Sequence, residues 1–449
     1  MIILTISSGA FAQWTSVGNA NFSAAEAFYA KFAFNSSGVP YVVYSDISVG
    51  GKATVMKLNA AGTSWEVVGT AGFTPGIAGN PSIAIHNNVP YIVFSDYYYS
   101  AYCTVMKYNG TTWEILGNPG FTPSSATAHM ITFDNNGVPY VSCYSDDVDY
   151  DIYNGIVMKY NGTAWIKVGA SGYFFNGYVD DSKLAFDSNN VPYVAYRSCD
   201  LNNGSNKISV RKFDGSTWVD VGGSTPSMTG YLGFTVYNNT PYVSFSDGNQ
   251  TATTVKLNTA GTAWETVISA TFGQTANYTA DYMDFEYNNG VPYFVYSDDA
   301  YLNLSVVKYN GTAWEKVGAS GFSAGGATLC ILNFYNNVPY VAYENTGDGK
   351  LNVMKFVSGV TTGINSNNAE PTVKAYPNPT TGRFSITMDN TISTSCDIQM
   401  YNMVGEVILK KTEVTDKNIE FDLTNYPKGV YLLQIKADKQ IFSQKIVRQ

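Results

Sequence analysis

The chain has 449 residues, of which 14% are charged, 15% are aromatic and 41 are glycine. This balance is typical of an extracellular β-rich protein and excludes a disordered chain. The formal net charge of -9 argues against a basic patch for DNA, RNA or acidic membranes, so no nucleic-acid partner is expected.

Residues 1–12, MIILTISSGAFA, have the apolar run and the Ala-Phe-Ala cleavage site of a secretory signal peptide. A first β-strand is the alternative interpretation. No Lys or Arg precedes the apolar run, so we expect the natural start to lie upstream. No later apolar run approaches the roughly 20 residues that cross a bilayer, which predicts a soluble or surface-attached mature protein without a transmembrane segment.

A repeat of about fifty residues fills most of the chain. Pro followed by Tyr occurs once in each repeat, at Pro40, Pro90, Pro139, Pro192, Pro241, Pro292 and Pro339. Trp also occurs once in each, at Trp14, Trp65, Trp113, Trp165, Trp218, Trp264 and Trp314. Two independent markers therefore indicate seven repeats, each of which buries its faces against its neighbours.

Each repeat carries four short strand signals. In the second repeat they lie at 82–86, 91–95, 103–108 and 112–116; Asn87-Asn88 joins the first two strands, and Asn109-Gly110 is predicted to join the last two as a tight hairpin turn with positive φ. Four antiparallel strands repeated seven times predict an all-β fold, a seven-bladed β-propeller over residues 13–357.

The Asn-Gly turn places each Trp strand last in its blade. The first blade then begins near Phe28, and the last blade ends at 351–357 without a Trp strand of its own. We therefore predict that the strand around Trp14 pairs with the strand near Val353 and closes the ring, which covers both exposed sheet edges. Loops between the second and third strands share one face of the propeller with the loops between blades, and that face is acidic and rich in tyrosine.

A change of composition follows the seventh blade. Residues 358–370 are small and polar and are predicted to form a linker. From residue 371 the chain has no Trp, and short segments of alternating apolar residues predict a small β-sandwich over residues 371–449.

Three segments of this region, AYPNPTTGRFSI at 375–386, YNMVGEVI at 401–408 and LTNYPKGVYLLQI at 423–435, closely resemble the type A C-terminal sorting domain of the Bacteroidetes type IX secretion system. The residues that carry the resemblance are Tyr376, Pro377, Asn378, Pro379, Gly382, Gly405, Gly429 and Tyr431. In that family the domain is an Ig-like sandwich that addresses a folded periplasmic protein to the outer-membrane translocon, and a sortase-like peptidase usually removes it. The resemblance implies these two partners and a secreted or surface-attached location, and it implies nothing about the propeller.

Catalytic motifs are scarce in the sequence. The two histidines, His86 and His129, fall on innermost strands of different predicted blades, and neither stands beside a serine or cysteine motif. We therefore assign no catalytic residue, and we favour a binding protein over an enzyme.

Carboxylates are the stronger candidates. Asp46, Asp96, Asp247 and Asp298 hold the same place after the Pro-Tyr strand. A repeated residue at a repeated place usually serves the repeat, here by accepting backbone N–H bonds in the following loop. The functional alternative is a ring of carboxylates that binds cations or sugar hydroxyls.

Departures from the repeat, together with repeated aspartates beside them, supply the candidate ligand-binding residues. Exposed tyrosines beside carboxylates suit stacking on sugar rings, and they equally suit packing between neighbouring loops. The candidates are Asp96, Tyr97, Tyr98, Asp146, Asp147, Arg197, Asp298 and Asp299.

The third blade has an acidic loop in which Asp147, Asp149 and Asp151 alternate with other residues. Oxygen ligands at alternate positions suit Ca²⁺, although a solvated acidic loop is the alternative. Ca²⁺ is the only cofactor for which the sequence offers candidate ligands.

These features favour a secreted, monomeric cell-surface binding or adhesion protein whose propeller face binds glycan or protein. The alternatives are a secreted polysaccharide hydrolase or lyase, which could place two carboxylates across the channel, and a structural surface component. Near-identical blades favour binding, because an enzyme needs one blade that differs from the others.

Overall fold

The computed structural model describes residues 13–147, 152–169, 172–175, 177, 179–200, 205–223, 231–246, 251–271, 283–297, 302–358, 373–388, 395–402, 406–416, 418–437 and 440–449. Within these residues the chain forms two compact units, one up to residue 358 and one from residue 373 onward. The predicted signal peptide at 1–12 and almost all of the predicted linker at 358–370 lie outside the described residues, so these boundaries stay predictions.

The first unit consists of antiparallel sheets that follow one another along the chain. Strand β1 is Gln13–Ser16. The first sheet contains β2 (Ala27–Phe34), β3 (Pro40–Asp46), β4 (Lys52–Leu58) and β5 (Trp65–Val67). The second contains β6 (Ala78–His86), β7 (Val89–Asp96), β8 (Tyr102–Tyr108) and β9 (Trp113–Ile115). The third contains β10 (Ala126–Phe133), β11 (Pro139–Asp147), β12 (Ile152–Tyr160) and β13 (Trp165–Lys167), with β14 (Tyr173–Phe175) also paired to β12.

The remaining sheets of this unit repeat the same order. The fourth contains β15 (Val179–Phe186), β16 (Pro192–Asp200), β17 (Ser205–Phe213) and β18 (Trp218–Val221). The fifth contains β19 (Leu232–Tyr237), β20 (Thr240–Ser246), β21 (Thr251–Leu257) and β22 (Trp264–Thr271). The sixth contains β23 (Met283–Asn288), β24 (Val291–Ser297), β25 (Leu304–Tyr309) and β26 (Trp314–Lys316). The seventh contains β27 (Ala327–Tyr335), β28 (Val338–Asn345), β29 (Leu351–Val357) and β1.

The first strand of each sheet lies at the centre of a ring. Each of these strands contacts the first strand of the following sheet, and β27 contacts β2 to complete the circle. The sheets are therefore the blades of a β-propeller around a central channel, and the all-β fold class is confirmed. Short 3-10 helices at Ile47–Val49 and Tyr97–Tyr99 follow the second strands of the first two blades.

The ring closes through the N-terminal strand, as the sequence predicts. Strand β1 pairs with β29 in antiparallel register, with Trp14 opposite Phe356 and Ser16 opposite Met354. The last blade therefore takes its outermost strand from the opposite end of the propeller sequence, which covers the edge of β29.

The repeated tryptophans join neighbouring blades. The indole N–H of Trp113 donates to the carbonyl oxygen of Val68 in the preceding blade at 2.8 Å, and Trp65 donates to Val17 at 2.9 Å. The face of the Trp113 ring stacks on Phe73, with 4.3 Å between ring centroids. This stacking explains why Gly-Phe-Thr recurs between blades, and it commits that phenylalanine to packing.

The two hairpin turns of the second blade differ from each other. Asn87 and Asn88 form a two-residue turn with φ of 50° and 62°. Asn109-Gly110 instead begins a loop of four residues between β8 and β9, in which the Asn109 side-chain oxygen accepts the backbone N–H groups of Thr111 and Thr112. The prediction of a tight Asn-Gly turn was therefore wrong in length, although Gly110 does have a positive φ of 100°.

The second unit is a sandwich of two antiparallel sheets. One sheet contains β30 (Val373–Tyr376), β31 (Arg383–Met388) and β34 (Asn418–Asp422), and the other contains β33 (Val407–Val414), β32 (Cys396–Tyr401), β35 (Gly429–Ala437) and β36 (Gln440–Arg448). Alternate residues of both sheets meet in one buried core, with Phe384 and Ile419 from the first and Met400 and Leu433 from the second. This is the small sandwich that the sequence predicts.

Candidate functional site

The loop after the second strand of blade 2 presents two tyrosines to solvent. The side chain of Tyr97 is 60% exposed and that of Tyr98 is 67% exposed. Asp96 immediately precedes them, but its side chain is completely buried. Its Oδ1 accepts the backbone N–H of Tyr98 at 3.1 Å, so Asp96 caps the 3-10 helix and fixes the backbone that carries the tyrosines.

Blade 1 repeats this arrangement with a loop of the same length but smaller side chains. Asp46 Oδ1 accepts the backbone N–H of Ser48 at 3.0 Å, and Oδ2 accepts the Thr54 hydroxyl at 2.8 Å. The repeated aspartate thus serves the repeat in both blades where the structure describes its side chain. Burial raises the pKa of Asp96, and the Thr104 hydroxyl and the Tyr98 N–H oppose that rise.

Further exposed apolar side chains lie at the same end of the propeller as Tyr97. The Tyr97 ring lies against Gly79, because a Cβ added to that glycine would come within 2.9 Å of Tyr97 Cε2. Gly79 stands near the start of the innermost strand β6, so Tyr97 reaches toward the mouth of the channel. We call Phe28, Tyr29, Ile77, Tyr97 and Tyr98 the aromatic rim; their side chains are between 37% and 67% exposed.

The other sequence candidates fall in several places. Arg197 is half-buried on β16 and lies opposite Asp181 in the register with β15. Asp146 and Asp147 belong to the end of β11, where their backbones pair with β12, and nothing is described of their side chains. The candidates Asp149, Asp151, Asp298 and Asp299 lie outside the described residues, so the calcium site stays a prediction.

The structure reveals a second cluster that the sequence reasoning missed. A pocket of about 360 Å³ is enclosed by the innermost strands of blades 1, 4, 6 and 7 and by Tyr231 and Leu232 of blade 5. Because these strands surround the axis, the pocket lies in the central channel. Its charged lining residues are Lys31, Asp181, Lys183 and Asp284, and we call it the channel pocket.

Three of these residues occupy the same place in different blades. In each blade one residue of the innermost strand lies opposite the third residue after the Pro of the Pro-Tyr pair. In chain order these residues are Lys31, Ser82, Met130, Lys183, Gly233, Asp284 and Ile331. The residue types at this repeat position are the sequence signal that could have identified the cluster. Lys31, Lys183 and Asp284 are charged, whereas the other four blades have uncharged residues there.

The two lysines differ in how well their charge is compensated. Burial and the neighbouring Lys183 lower the pKa of Lys31, against the opposing effects of Asp284 and Asp181. Burial also acts to lower the pKa of Lys183, but Asp284, Asp181 and Glu286 together raise it above its ordinary value. Lys31 therefore carries the less compensated charge.

The carboxylates of this cluster are shielded from solvent by burial. Burial raises the pKa of Asp284, while Lys183, Lys31 and a 2.9 Å hydrogen bond from the backbone N–H of Leu332 oppose the rise. Burial and the nearby Asp284 raise the pKa of Glu286 to about 7. A perturbed carboxylate beside a cavity is a common property of functional sites.

The contacts of His86 are with neighbouring packing and turn residues. The His86 ring stacks on Phe133 with 4.6 Å between centroids, and its Nε2 lies 3.0 Å from the Asn87 side-chain nitrogen. The side chain of His129 lies outside what is described. Nowhere in the described residues do three or more His, Cys, Asp or Glu side chains converge as a metal site requires.

The motif residues of the second unit organise its sandwich. Asn378 Oδ1 accepts the backbone N–H of Val447 on the last strand at 2.9 Å, and the Tyr431 hydroxyl donates to the carbonyl oxygen of Pro427. Gly382 has a positive φ and packs against Thr424, where an added Cβ would come within 2.5 Å of the threonine hydroxyl. Tyr376 is 80% exposed, and Gly405 lies outside the described residues.

Residues 374–449 match the family model of the secretion system C-terminal sorting domain. The second unit is a type IX sorting domain. The protein is therefore exported to the cell surface or the extracellular space. The described residues include no helix with the length and hydropathy of a membrane span.

Solved structures that resemble the chain are distant in sequence. An ulvan lyase of polysaccharide lyase family PL25 is 14% identical with a TM-score of 0.49, over 76% of this chain and 94% of that chain. A sialidase of Trypanosoma rangeli is 10% identical with a TM-score of 0.43, over 96% of this chain and 87% of that chain. A puromycin-hydrolyzing peptidase of Mycobacterium tuberculosis is 10% identical with a TM-score of 0.49, over 84% of this chain and 61% of that chain. No curated protein sequence matches the chain.

Proposed function

We propose that the propeller is a glycan-binding module, carried to the cell surface or beyond by its sorting domain, and that the aromatic rim is its contact surface. The observation that carries this proposal is the pair of exposed rings, Tyr97 and Tyr98, on a backbone held by the buried Asp96. Rings that are already positioned lose little conformational entropy when a ligand binds.

The chemistry of the rim suits a sugar. The apolar face of a pyranose can stack on a tyrosine ring, while its hydroxyl groups hydrogen bond to the phenol oxygens. Tyr29 and Ile77 add exposed area on the neighbouring blade and in the loop between the blades. A monomer rarely exposes several large apolar side chains together unless they contact a ligand or a partner.

Catalysis in the channel is a second candidate function, which one observation favours. Glu286 has a pKa of about 7 and Lys31 a lowered pKa, and both belong to the charged cluster of the channel. A carboxyl group that titrates near neutral pH can act as a general acid or base on a glycosidic bond. A polysaccharide hydrolase or lyase would place its substrate across the mouth of the channel and over this cluster.

A glycan array separates ligand binding from a purely structural role. The full-length protein is applied in Ca²⁺ and again in chelator, beside the Tyr97→Ala and Tyr98→Ala variants. Tyr376→Ala is the matched control, because Tyr376 is an exposed tyrosine of the other unit. We expect the wild type and Tyr376→Ala to bind the same glycans and the rim variants to lose most of the signal. A signal that the rim variants retain, or no signal from the wild type, would overturn the proposal.

The chelator and the product assay address the remaining alternatives. Loss of the signal in chelator would support a calcium site at Asp147, Asp149 and Asp151, while an unchanged signal would oppose one. Incubation with polysaccharides, followed by measurement of new reducing ends and of unsaturated products, tests catalysis. Turnover that Glu286→Gln abolishes would replace binding with catalysis as the main function.

A further inference from the structure

We propose that the channel pocket binds one anionic residue of a glycan chain, with its carboxylate or sulfate group held by Lys31 and Lys183. This inference rests on the proposed function, because the chain would lie on the aromatic rim while one residue enters the channel. It adds a class of ligand, acidic polysaccharide, that the exposed tyrosines alone do not indicate.

The hydrogen bond that joins innermost strands at this repeat position does not require a lysine. In three other blades the equivalent side chain accepts a backbone N–H from the next innermost strand: Ser82 accepts from Ile131 at 3.4 Å, Met130 from Leu184 at 3.0 Å and Asp284 from Leu332 at 2.9 Å. An ammonium group has three donors and no acceptor, so a lysine cannot make this bond. Lysine at this position therefore does not make this contact between blades, as Gly233 and Ile331 also do not, and the contact does not account for its charge.

The charge of Lys31 is compensated less completely than that of Lys183. Both lysines line the same pocket, and among the described residues neither Nζ has a hydrogen-bond acceptor or a carboxylate oxygen within 4.0 Å. Lysine in a desolvated place is normally paired. The repulsion from Lys183 and the loss of solvation at Lys31 would both be relieved by a bound oxyanion.

The size and lining of the channel pocket suit one sugar residue. Its volume of about 360 Å³ falls within the range of small-ligand sites and suits a monosaccharide unit. Tyr231 is 38% exposed at its edge and offers a ring face, while the Thr328 side chain, which hydrogen bonds to Glu344, lines the wall. Asp181 adds an acceptor for sugar hydroxyls, so the lining can bind both the anionic group and the ring that carries it.

Calorimetry on the full-length protein tests this inference with three probes of equal length. The probes are tetragalacturonate, a galactose tetrasaccharide sulfated on every residue, and neutral galactotetraose. The variants are Lys31→Gln and Lys183→Gln. Lys57→Gln is the control, because Lys57 forms a surface ion pair with Glu66 on the outer strands of blade 1. Thermal unfolding confirms that each variant is folded before it is titrated.

We expect at least one acidic probe to bind at least tenfold more tightly than galactotetraose. Lys31→Gln should remove most of that advantage and Lys57→Gln none of it, and the tighter acidic probe identifies carboxylate or sulfate as the anionic group. Equal affinity for all three probes, full affinity in folded Lys31→Gln, or no binding of either acidic probe at millimolar concentration would overturn the inference.

The rim variants distinguish this inference from the proposed function. If Tyr97→Ala weakens all probes while Lys31→Gln changes none, the rim binds glycan and the channel inference fails. If Lys31→Gln removes acidic-probe binding while Tyr97→Ala has no effect, the channel inference holds and the role of the rim fails.

Discussion

The indole N–H of Trp14 donates a 2.8 Å hydrogen bond to the carbonyl oxygen of Val317, although 303 positions separate the two residues. Trp14 also stacks on Phe322, with 4.2 Å between ring centroids. Trp113 makes the same two contacts, an indole hydrogen bond and a stacked phenylalanine, between the first two blades. The N-terminal strand is therefore joined to the ring by the same interactions as an internal strand.

This relationship predicts that Trp14→Phe weakens ring closure without removing the apolar contact. The change leaves the buried carbonyl of Val317 without its donor, and we expect a loss of about 1–3 kcal/mol in the free energy of unfolding. Urea denaturation followed by circular dichroism measures it. The control is Trp264→Phe, whose indole bond to Gly223 is exposed to solvent, and which should cost less than about 1 kcal/mol. Equal losses in the two variants would contradict the assigned role of Trp14.

Replacing the capping aspartate should lower the free energy of unfolding by different amounts in blades 1 and 2. Asp46→Asn removes the acceptor of the buried Thr54 hydroxyl, and we expect a loss of about 1–2 kcal/mol in unfolding free energy. Asp96→Asn should cost less, because the Thr104 hydroxyl, which lowers the pKa of Asp96, makes no hydrogen bond of standard geometry to Asp96 Oδ2, unlike Thr54 to Asp46. The two single variants are compared in the same urea titration. A larger loss in Asp96→Asn would show that its carboxylate has a partner or ligand of its own.

The raised pKa of Glu286 predicts a pH-dependent stability. Its pKa is about 7 in the folded protein against an ordinary 4.5, so the folded state holds this proton more tightly than the unfolded state. Ionisation of Glu286 therefore lowers stability as the pH rises through this interval, and the effect is complete above it. Glu286→Gln should unfold at a higher denaturant concentration than the wild type at pH 8, and the difference should vanish at pH 4.

The control for this prediction is Glu66→Gln, which changes an exposed carboxylate that pairs with Lys57. It should not reproduce the stability difference that appears between pH 4 and pH 8 in Glu286→Gln. A Glu286→Gln variant that is less stable than the wild type at both pH values would mean that the ionised carboxylate is needed for packing.

A substitution at Gly79 should displace the Tyr97 ring without changing any residue of the aromatic rim. In Gly79→Ala the new methyl group would lie 2.9 Å from Tyr97 Cε2, so the ring must move. We expect weaker glycan binding with a change in unfolding free energy below about 1 kcal/mol, since the backbone of Gly79 needs no positive φ. Gly325→Ala is the control, because its nearest contact, with Asn345, is an ordinary 3.4 Å. Unchanged binding in Gly79→Ala would show that the position of the Tyr97 ring does not matter.

We expect export to require the sorting domain and folding of the propeller not to require it. A chain that ends at residue 372 should remain in the periplasm of a host with the type IX system, while the complete chain reaches the cell surface or the medium. Fractionation and immunoblotting measure the distribution. Circular dichroism of the shortened chain should still show the β-sheet spectrum of the propeller, and surface delivery of the shortened chain would contradict the assignment.

The sequence predicts the fold well because the repeat itself is the evidence. Pro-Tyr marks the second strand of each blade and Trp begins the fourth, so strand order and ring closure follow from counting. The length of the Asn109 loop could not be predicted in this way. The Asn109 side chain stabilises its loop by accepting backbone N–H groups, whereas Asn87 and Asn88 form their turn by adopting positive φ. The same residue type forms two different turns in one blade.

The candidate site is predicted less completely, for a physical reason. Tyr97 and Tyr98 are local departures from the repeat, and their exposure matches the sequence hypothesis. Lys31 and Lys183 meet only after the ring has closed, and no local pattern connects blade 1 to blade 4. Bulges between Phe28 and Lys31, and between Val179 and Asp181, also interrupt the alternation that would show which face each lysine occupies.

The affinity of the double variant Tyr97→Ala/Tyr98→Ala for the strongest ligand of the glycan array tests the role of the rim most directly. Calorimetry should show binding at least tenfold weaker than that of the wild type, with an unchanged unfolding transition. An affinity equal to that of the wild type, in a variant that is equally stable, would contradict glycan binding by the aromatic rim.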